Sequence, residues 1–376
     1  MQDTRTGRLW DIVAAALAVP FMVSLALTPT GDDPAGLSAI LLAQIAAGVT
    51  LAAIALLLIF RSGTSRSLRV TVAVLAAVGA AAPLFALRAG GPGSASLPLW
   101  LYMAGYTVLL WRCLALLAAA DMPRLVSRGL VAAVFGVALL WYWQVIVVGF
   151  DIPHALLPPP SGIGDALAAQ TRLLWNDFRV TFFLSVLPGF AIGSLAGFLF
   201  ALVIDGRPFL ARGLLPLGSA FSAIPIVAVA PIMIMWFGSG AESKAAVVVL
   251  MTFFPMMVNT LGGLNTVDRM ELDLMYSYGA GYWTRLAKLR LPTALPFIFN
   301  ALKINATLAM IGAIVSEFFG SPLAGMGFRI SAMIGRLNLE MVWATIAVAA
   351  VAGSLFYGIW AVLERVFTFW HPAQRR

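Results

Sequence analysis

The sequence predicts an all-α polytopic membrane protein with about ten transmembrane helices. Three observations predict it. The first is composition: 61% of the 376 residues are hydrophobic and only 11% are charged, against about 25% charge in soluble domains. The second is a series of ten apolar runs, each close to the ~20 residues a bilayer-spanning helix needs. The third is where Lys and Arg fall. They sit in short segments between the runs, so the net charge of +8 reads as a topology signal rather than a nucleic-acid surface.

Helices are expected rather than barrel strands. Backbone polar groups find no water in lipid, and the alternating ten-residue segments of a membrane barrel are absent. A soluble globular enzyme, a disordered regulator and a fibrous protein are excluded by the same composition. The single cysteine, Cys113, allows no intrachain disulfide. Two histidines, His154 and His371, give no basis for a histidine metal centre. No metal, cofactor or nucleic-acid partner is expected; membrane lipid is.

In order, the runs are 12–28, 37–60, 70–87, 97–120, 129–150, 180–204, 214–237, 245–264, 293–316 and 341–363. With the N-terminus placed inside, sixteen Lys and Arg fall on the inner segments and six on the outer ones. Arg112 and Lys303 lie within runs. That bias puts both termini in the cytoplasm. The first run has a second reading: Arg5 and Arg8 precede it, and Ser24-Leu25-Ala26 could serve as a signal-peptide cleavage site.

Residues 1–127 are rich in Ala, Leu and Val and carry no polar constellation. Arg112 lies a few residues from the end of its run and reads as snorkelling to the surface; the other reading is a buried functional partner. After the fifth run comes DIPHALLPPPSG (151–162). A triple proline cannot lie inside a helix, so an extended connector is expected there. Residues 163–178 follow as an amphipathic helix on the outer surface.

The seventh run is irregular, with Pro216, Pro225 and Pro231 breaking it and Gly218, Ser219 and Ser222 giving small polar surface. Broken helices at membrane depth line cavities or pack on protein. Asn259, Asn300, Asn305, Thr307 and Ser316 add polarity to the eighth and ninth runs. Each reads either as a helix–helix hydrogen bond or as a pathway contact. Glu317, followed by Phe318 and Phe319, is expected at the outer membrane boundary, where a carboxylate costs little. By character, the solute-pathway candidates are Ser222, Pro225, Trp236, Asn305, Glu317 and Phe318.

The inner segment 265–292 is long and carries its own pattern. Asp268 can cap a helix running through Tyr276. Gly279 breaks that helix. A second short helix, Tyr282 to Lys288, puts Trp283, Leu286 and Ala287 on one face, with Arg285 and Lys288 elsewhere. Leu291-Pro292 then starts the ninth span. The result is a helix–Gly–helix hairpin with an aromatic knob. The knob is either a docking surface or a short helix resting on lipid headgroups, with Tyr282 and Trp283 as belt residues.

Several stretches resemble one family. They are LPPPSGIGDAL (157–167), AIPIVAVAPIMIMWFGSGAESK (223–244), FFPMMVNTLGGLNTVD (253–268), YGAGYW (278–283) and RLPTALPFIFNALKINATLAMIGAIVSEF (290–318). From about residue 157 the chain is similar to the permeases of ATP-binding-cassette importers, most of all the nitrate/sulfonate/taurine group. The resemblance covers roughly 210 residues in the family's order. It implies a type I permease core of six helices over 128–376, in a bacterial cytoplasmic (inner) membrane, preceded by an extension of four helices over 1–127.

It further implies that 265–292 is the coupling loop seated in a cytoplasmic ATPase. Asp273, Tyr276, Gly279, Ala280, Trp283, Leu286, Leu291 and Pro292 are its candidate residues. Gly279 and Leu291-Pro292 fit the family's Glu-Ala-Ala loop signature, whereas Asp273, Leu274 and Met275 stand at its first three positions and depart from it. The implied partners are ATPase subunits, an extracytoplasmic solute-binding protein and a second permease chain, identical or homologous. LRLPTALPFIF with ATLAMIGAIVSEFFG is closer to permeases for thiamine-precursor pyrimidines or riboflavin than for taurine; a sulfonate or nitrate is the other possibility.

Two other classes compete. An ion-gradient transporter needs carboxylates near the midplane, and all sixteen acidic residues are expected in loops or at span ends. A membrane enzyme needs a zinc motif, an aspartate pair or a histidine cluster, and none is present. P-loop glycines are missing too, so ATP hydrolysis is assigned to a separate subunit.

Overall fold

A computed structural model describes residues 124–207, 225–320 and 324–370, with isolated positions 103, 104, 107, 111, 209 and 213. The first three expected spans, most of the fourth and the first part of the seventh lie outside the described residues. So do Arg112, Cys113, Pro216, Gly218, Ser219 and Ser222. Among the described residues all regular structure is helical. Among the same residues, five helical runs are long and apolar enough to cross a membrane. The chain divides into two compact units, Met1–Gly162 and Ile163–Arg376.

In the first unit, α1 (Arg124–Gly149) is one of the five candidate spans. The connector after it is fixed by Gln144, whose side chain donates to Ser161 Oγ at 3.0 Å and accepts from the Ser161 N–H at 2.9 Å. Helix α2 (Pro160–Ala169) starts on the third proline of the triplet. The connector therefore ends three residues earlier than expected, because proline's fixed φ and missing N–H suit a first helical position, and it is turned rather than extended at Pro153, whose carbonyl accepts from the Leu156 and Leu157 N–H groups.

The second unit holds the remaining helices. α3 (Thr171–Arg179) runs through a π segment, Val180–Val186, into α4 (Leu187–Ile204), giving one run of 34 residues. The expected span at 180–204 thus begins nine residues earlier. α5 (Ile226–Phe237) is followed by α6 (Ala241–Leu264) and α7 (Arg269–Ser277). α8 (Tyr282–Arg285), a second π segment at Leu286–Arg290 and α9 (Leu291–Gly320) form one continuous run of 39 residues. α10 (Met326–Ile334) and α11 (Leu339–Phe367) complete the unit.

Two expectations need correction here. Leu291-Pro292 does not start the ninth span; the helix has already run from Tyr282. Nor does Pro231 break the seventh, since it lies inside α5. Both π segments end at a Leu-Pro step, Leu187-Pro188 and Leu291-Pro292. The Leu187 N–H bonds Phe182 O, and the Leu291 N–H bonds Leu286 O, each five residues back. A helical proline clashes with the carbonyl four residues before it. A widened turn carries that carbonyl aside, so the helix continues where an α-turn would break.

Helices α4 and α6 meet along Gly189, Gly193 and Gly197, spaced four apart on one face. A Cβ at these positions would lie 2.5 Å from Val248 Cβ, 2.1 Å from Thr252 Oγ1 and 2.3 Å from Phe253 O. Only hydrogen fits, which is the small-residue route to close packing in lipid. The core beside this seam joins Val186, Phe190, Val248, Met310, Met326 and Phe356. On α11, Val351, Leu355, Ile359, Val362 and Val366 recur every three to four residues, and each is more than half exposed. Such an apolar stripe on one helix face needs lipid or another apolar partner.

Candidate functional site

The segment 265–292 is built as a projecting arm. Asp268 accepts from the Met270 N–H at 3.0 Å and caps α7. No residue of α7 is buried. The helix ends in a Schellman turn. The Ala280 N–H reaches Met275 O at 3.0 Å, and the Gly279 N–H reaches Tyr276 O at 2.9 Å. Gly279 has φ +68°, with open space where a Cβ would be. Backbone conformation alone calls for glycine here. Arg285 then stacks over the Tyr276 ring at 3.7 Å and ties the two halves together.

The second half is not the separate amphipathic helix expected. Trp283 is 75% exposed, whereas Leu286 is 3% exposed and packs with Met256, Leu264, Ala294 and Ile298. Trp283 and Leu286 therefore do different things: one presents a ring outward and the other anchors the arm. Asp273 and Tyr276 are exposed, and Ala280, Leu291 and Pro292 are half-buried. Met270, Leu274 and Tyr278 extend the exposed apolar surface.

A polar joint fixes the base of the arm. Arg290 donates to Asp205 through Nη1 (2.6 Å to Oδ2) and Nη2 (2.8 Å to Oδ1). The Tyr282 hydroxyl donates to the same Oδ2 at 2.8 Å. Arg290 also donates Nε and Nη2 to Leu264 O, at 3.1 and 3.0 Å. Tyr282, Leu286 and Arg290 recur every four residues, so they share the face that meets the body.

The opposite end of the unit holds a second polar centre, which the sequence reading misplaced. Glu317 is 1% exposed, not at an open boundary. Its Oε2 accepts from Thr181 Oγ1 at 2.8 Å and the Gly327 N–H at 3.0 Å. Thr181 Oγ1 in turn accepts from the Met326 N–H at 2.8 Å. Asp177 is fully buried inside a helical run, not in a loop. It pairs with Arg329 (Nε to Oδ2, 2.7 Å) and accepts from the Gly325 N–H at 3.1 Å. Three side chains thus satisfy the first N–H groups of α10, where a helix start leaves its donors orphaned. Lys244 lies near this centre, donating to Gly240 O at 2.9 Å and to Ser239 O.

The remaining pathway candidates are not gathered in one place. Asn305 is fully buried and donates to Ser194 Oγ (2.9 Å) and Thr252 O (2.8 Å), bridging α9 to α4 and α6. Pro225, Trp236 and Phe318 are exposed. Trp236 lines an open apolar cleft of about 710 Å³ with Phe237, Pro188, Ile192 and Leu184, and Glu242 at its rim. A further pair went unpredicted: Lys303 Nζ meets Glu364 Oε2 at 2.6 Å between α9 and α11. Its signal was Lys303 itself, a charge inside an apolar run that must find a partner.

Residues 178–368 match the family described as binding-protein-dependent transport system inner membrane component. A probable ABC transporter permease of Haemophilus influenzae is 31% identical over 60% of this chain and 92% of its own length. The riboflavin transport system permease protein RibX of Chloroflexus aurantiacus is 31% identical over 62% of this chain and 88% of its own. The formylaminopyrimidine transport permease protein ThiX of Halalkalibacterium halodurans is 30% identical over 66% and 98%. The matched region contains the arm, its joint and the buried centre except Asp177, and the chain belongs to the binding-protein-dependent permease family, as an ABC importer permease of the nitrate/sulfonate/taurine type.

Proposed function

We propose that this permease carries a small flat organic heterocycle across the bacterial inner membrane by alternating access, driven by a separate cytoplasmic ATPase docked on 265–292. The observation that carries the reading is the projecting arm, which presents Trp283, Tyr276, Leu274 and Met270 on an exposed surface at the family's coupling position. The pyrimidine or riboflavin class is favoured by two relatives' names and by a cleft lined with Trp236 and Phe237, with a carboxylate at its rim and no cation among its lining residues. A sulfonate or nitrate would meet that carboxylate unfavourably. Of the pathway candidates, Trp236 carries this role; Asn305 and Glu317 hold helices in place.

In the same reading, residues 1–127 form a four-helix extension and 128–376 the core. Two permease chains serve two ATPase subunits, a solute-binding protein delivers from outside, and both termini are cytoplasmic. The test is co-purification of an ATPase with this chain, then ATP hydrolysis in vesicles with riboflavin and the binding protein. Orientation is tested by cysteine labelling in a Cys113-free variant. A cysteine at Leu156 should react from outside and one at Phe209 only from inside; both side chains are exposed.

Buried Glu317 and Asp177 favour one rival, a transporter driven by an ion gradient. Uptake into vesicles under a proton gradient without ATP would establish it and remove the ATPase-driven reading.

A further inference from the structure

The geometry points to Asp205 as the positioning residue through which the arm moves α4, and with α4 the wall of the cleft. The inference rests on the coupling reading above and names how that segment would reach the solute path.

Asp205 is the residue that ends α4. Its side chain is 3% exposed, and it takes three hydrogen bonds from the arm, two from Arg290 and one from Tyr282. The two donors are eight residues apart in sequence, about two helical turns. They converge on one carboxylate, so the arm is pinned to α4 at both ends of its base. A paired guanidinium–carboxylate contact fixes direction as well as distance. Apolar packing, such as that of Leu286, resists separation but not sliding.

The far side of α4 completes the route. Pro188 and Ile192 near the start of α4, with Leu184 in the π segment before it, line the cleft together with Trp236 and Phe237 of α5 and with α6 residues from Ala241 to Leu250. A displacement of the arm that carries Asp205 carries α4 along its axis and shifts this wall. Helix α6 is not driven in the same way. Arg290 touches its C-terminal end through Leu264 O and, at 3.5 Å, the Asn265 side chain, contacts with uncharged acceptors.

The test uses the reconstituted transporter, with its ATPase, in vesicles. Spin labels at Ile192 and Phe237 report the cleft width, and ATP with vanadate is the probe. In the otherwise native chain the label distance should change on trapping. In Asp205→Asn the ATPase should stay bound within about twofold, with the KM for ATP and basal hydrolysis unchanged. The distance change should be lost, and transport-coupled hydrolysis should fall by about 5- to 150-fold, the usual range of coupling between sites. The exchanged pair Asp205→Arg with Arg290→Asp should restore both in part, since the bonds to the Tyr282 hydroxyl and Leu264 O stay lost. An Asp205→Asn transporter that keeps its ATPase and its full distance change overturns the inference while leaving the coupling reading intact. A native chain that holds no ATPase overturns both. Should Asp205→Asn fail to reach the membrane, Tyr282→Phe keeps the ion pair and removes one bond. It should lower the coupled rate by about two- to tenfold, and an unchanged rate is equally decisive against the proposal.

Discussion

The two ends of the Ile163–Arg376 unit are both closed by an Asp–Arg pair, yet the pairs sit in different surroundings. At one end Asp205 and Arg290 join the arm to the body, and the arm's other side stands in the open. At the other, Asp177 and Arg329 lie with Glu317 and Thr181 around the start of α10, with glycine backbone pressed against them. The same chemistry serves as a joint where one partner carries exposed surface, and as a lock where every neighbour is packed. The difference lies in what surrounds the pair, not in the pair.

Breaking the lock should have the largest effect. Arg329→Ala leaves the fully buried Asp177 carboxylate without its cation, which should cost about 3–5 kcal/mol. Thermal unfolding in detergent would show it, and an added Asp177→Asn should recover much of the loss. If Arg329→Ala unfolds like the parent, the centre is not a lock. Gly327→Ala sharpens the same point through space rather than charge. Its Cβ would stand 2.1 Å from Ile314 O and 2.7 Å from Glu317 Cβ, and backbone cannot step aside. About 1–3 kcal/mol should be lost, read from the same unfolding curve.

The arm should behave in the opposite way. Trp283→Ala should leave the unfolding temperature within the noise of a surface change, because the ring is three-quarters exposed. ATPase association should weaken by roughly 30-fold, the equivalent of ~2 kcal/mol lost at a buried aromatic anchor. A pull-down titration checks it, and full association would return Trp283 to the role of a ring resting on headgroups. Between the two ends, Asn305→Ala removes bonds to Ser194 and Thr252 O. Polar contacts between membrane helices average about 0.6 kcal/mol, so of the three interior substitutions this should cost the least stability. Solute uptake should persist if Asn305 only bridges helices.

The arm was more legible in the sequence than the lock, and the reason is physical. Asp268, Gly279 and the aromatic residues are local signals: a cap, a positive φ and exposed rings each follow from a few neighbouring residues. The lock is assembled from positions as far apart as Asp177 and Arg329, and hydrophobic patterning carries no information about which distant charges meet. Glu317 looked like a boundary carboxylate because it follows an apolar run. The missed sign was Gly325 and Gly327 shortly after it, two small residues that let backbone approach the carboxylate. Helix α10 went unpredicted for the same reason, since its glycine-flanked start resembles a loop. The π segments were hidden because apolar periodicity does not register a single widened turn, though a Leu-Pro step within a helical run marks both.

The uninterrupted run from Tyr282 to Gly320 makes the protein sensitive to rotational phase. Thirty-nine residues at 1.5 Å each make about 58 Å, roughly twice the ~30 Å of hydrocarbon. The tip and the intramembrane part are therefore one shaft with no loop to absorb a change in length. Each residue inserted or deleted between Pro292 and Lys303 would turn the tip by about 100° relative to the shaft, swinging Trp283 away from its outward bearing and Arg290 away from Asp205. Substitutions along that stretch can be absorbed by packing, whereas single-residue insertions cannot. Homologous shafts should therefore vary in side chains while holding their length fixed from the Leu-Pro step to the lysine.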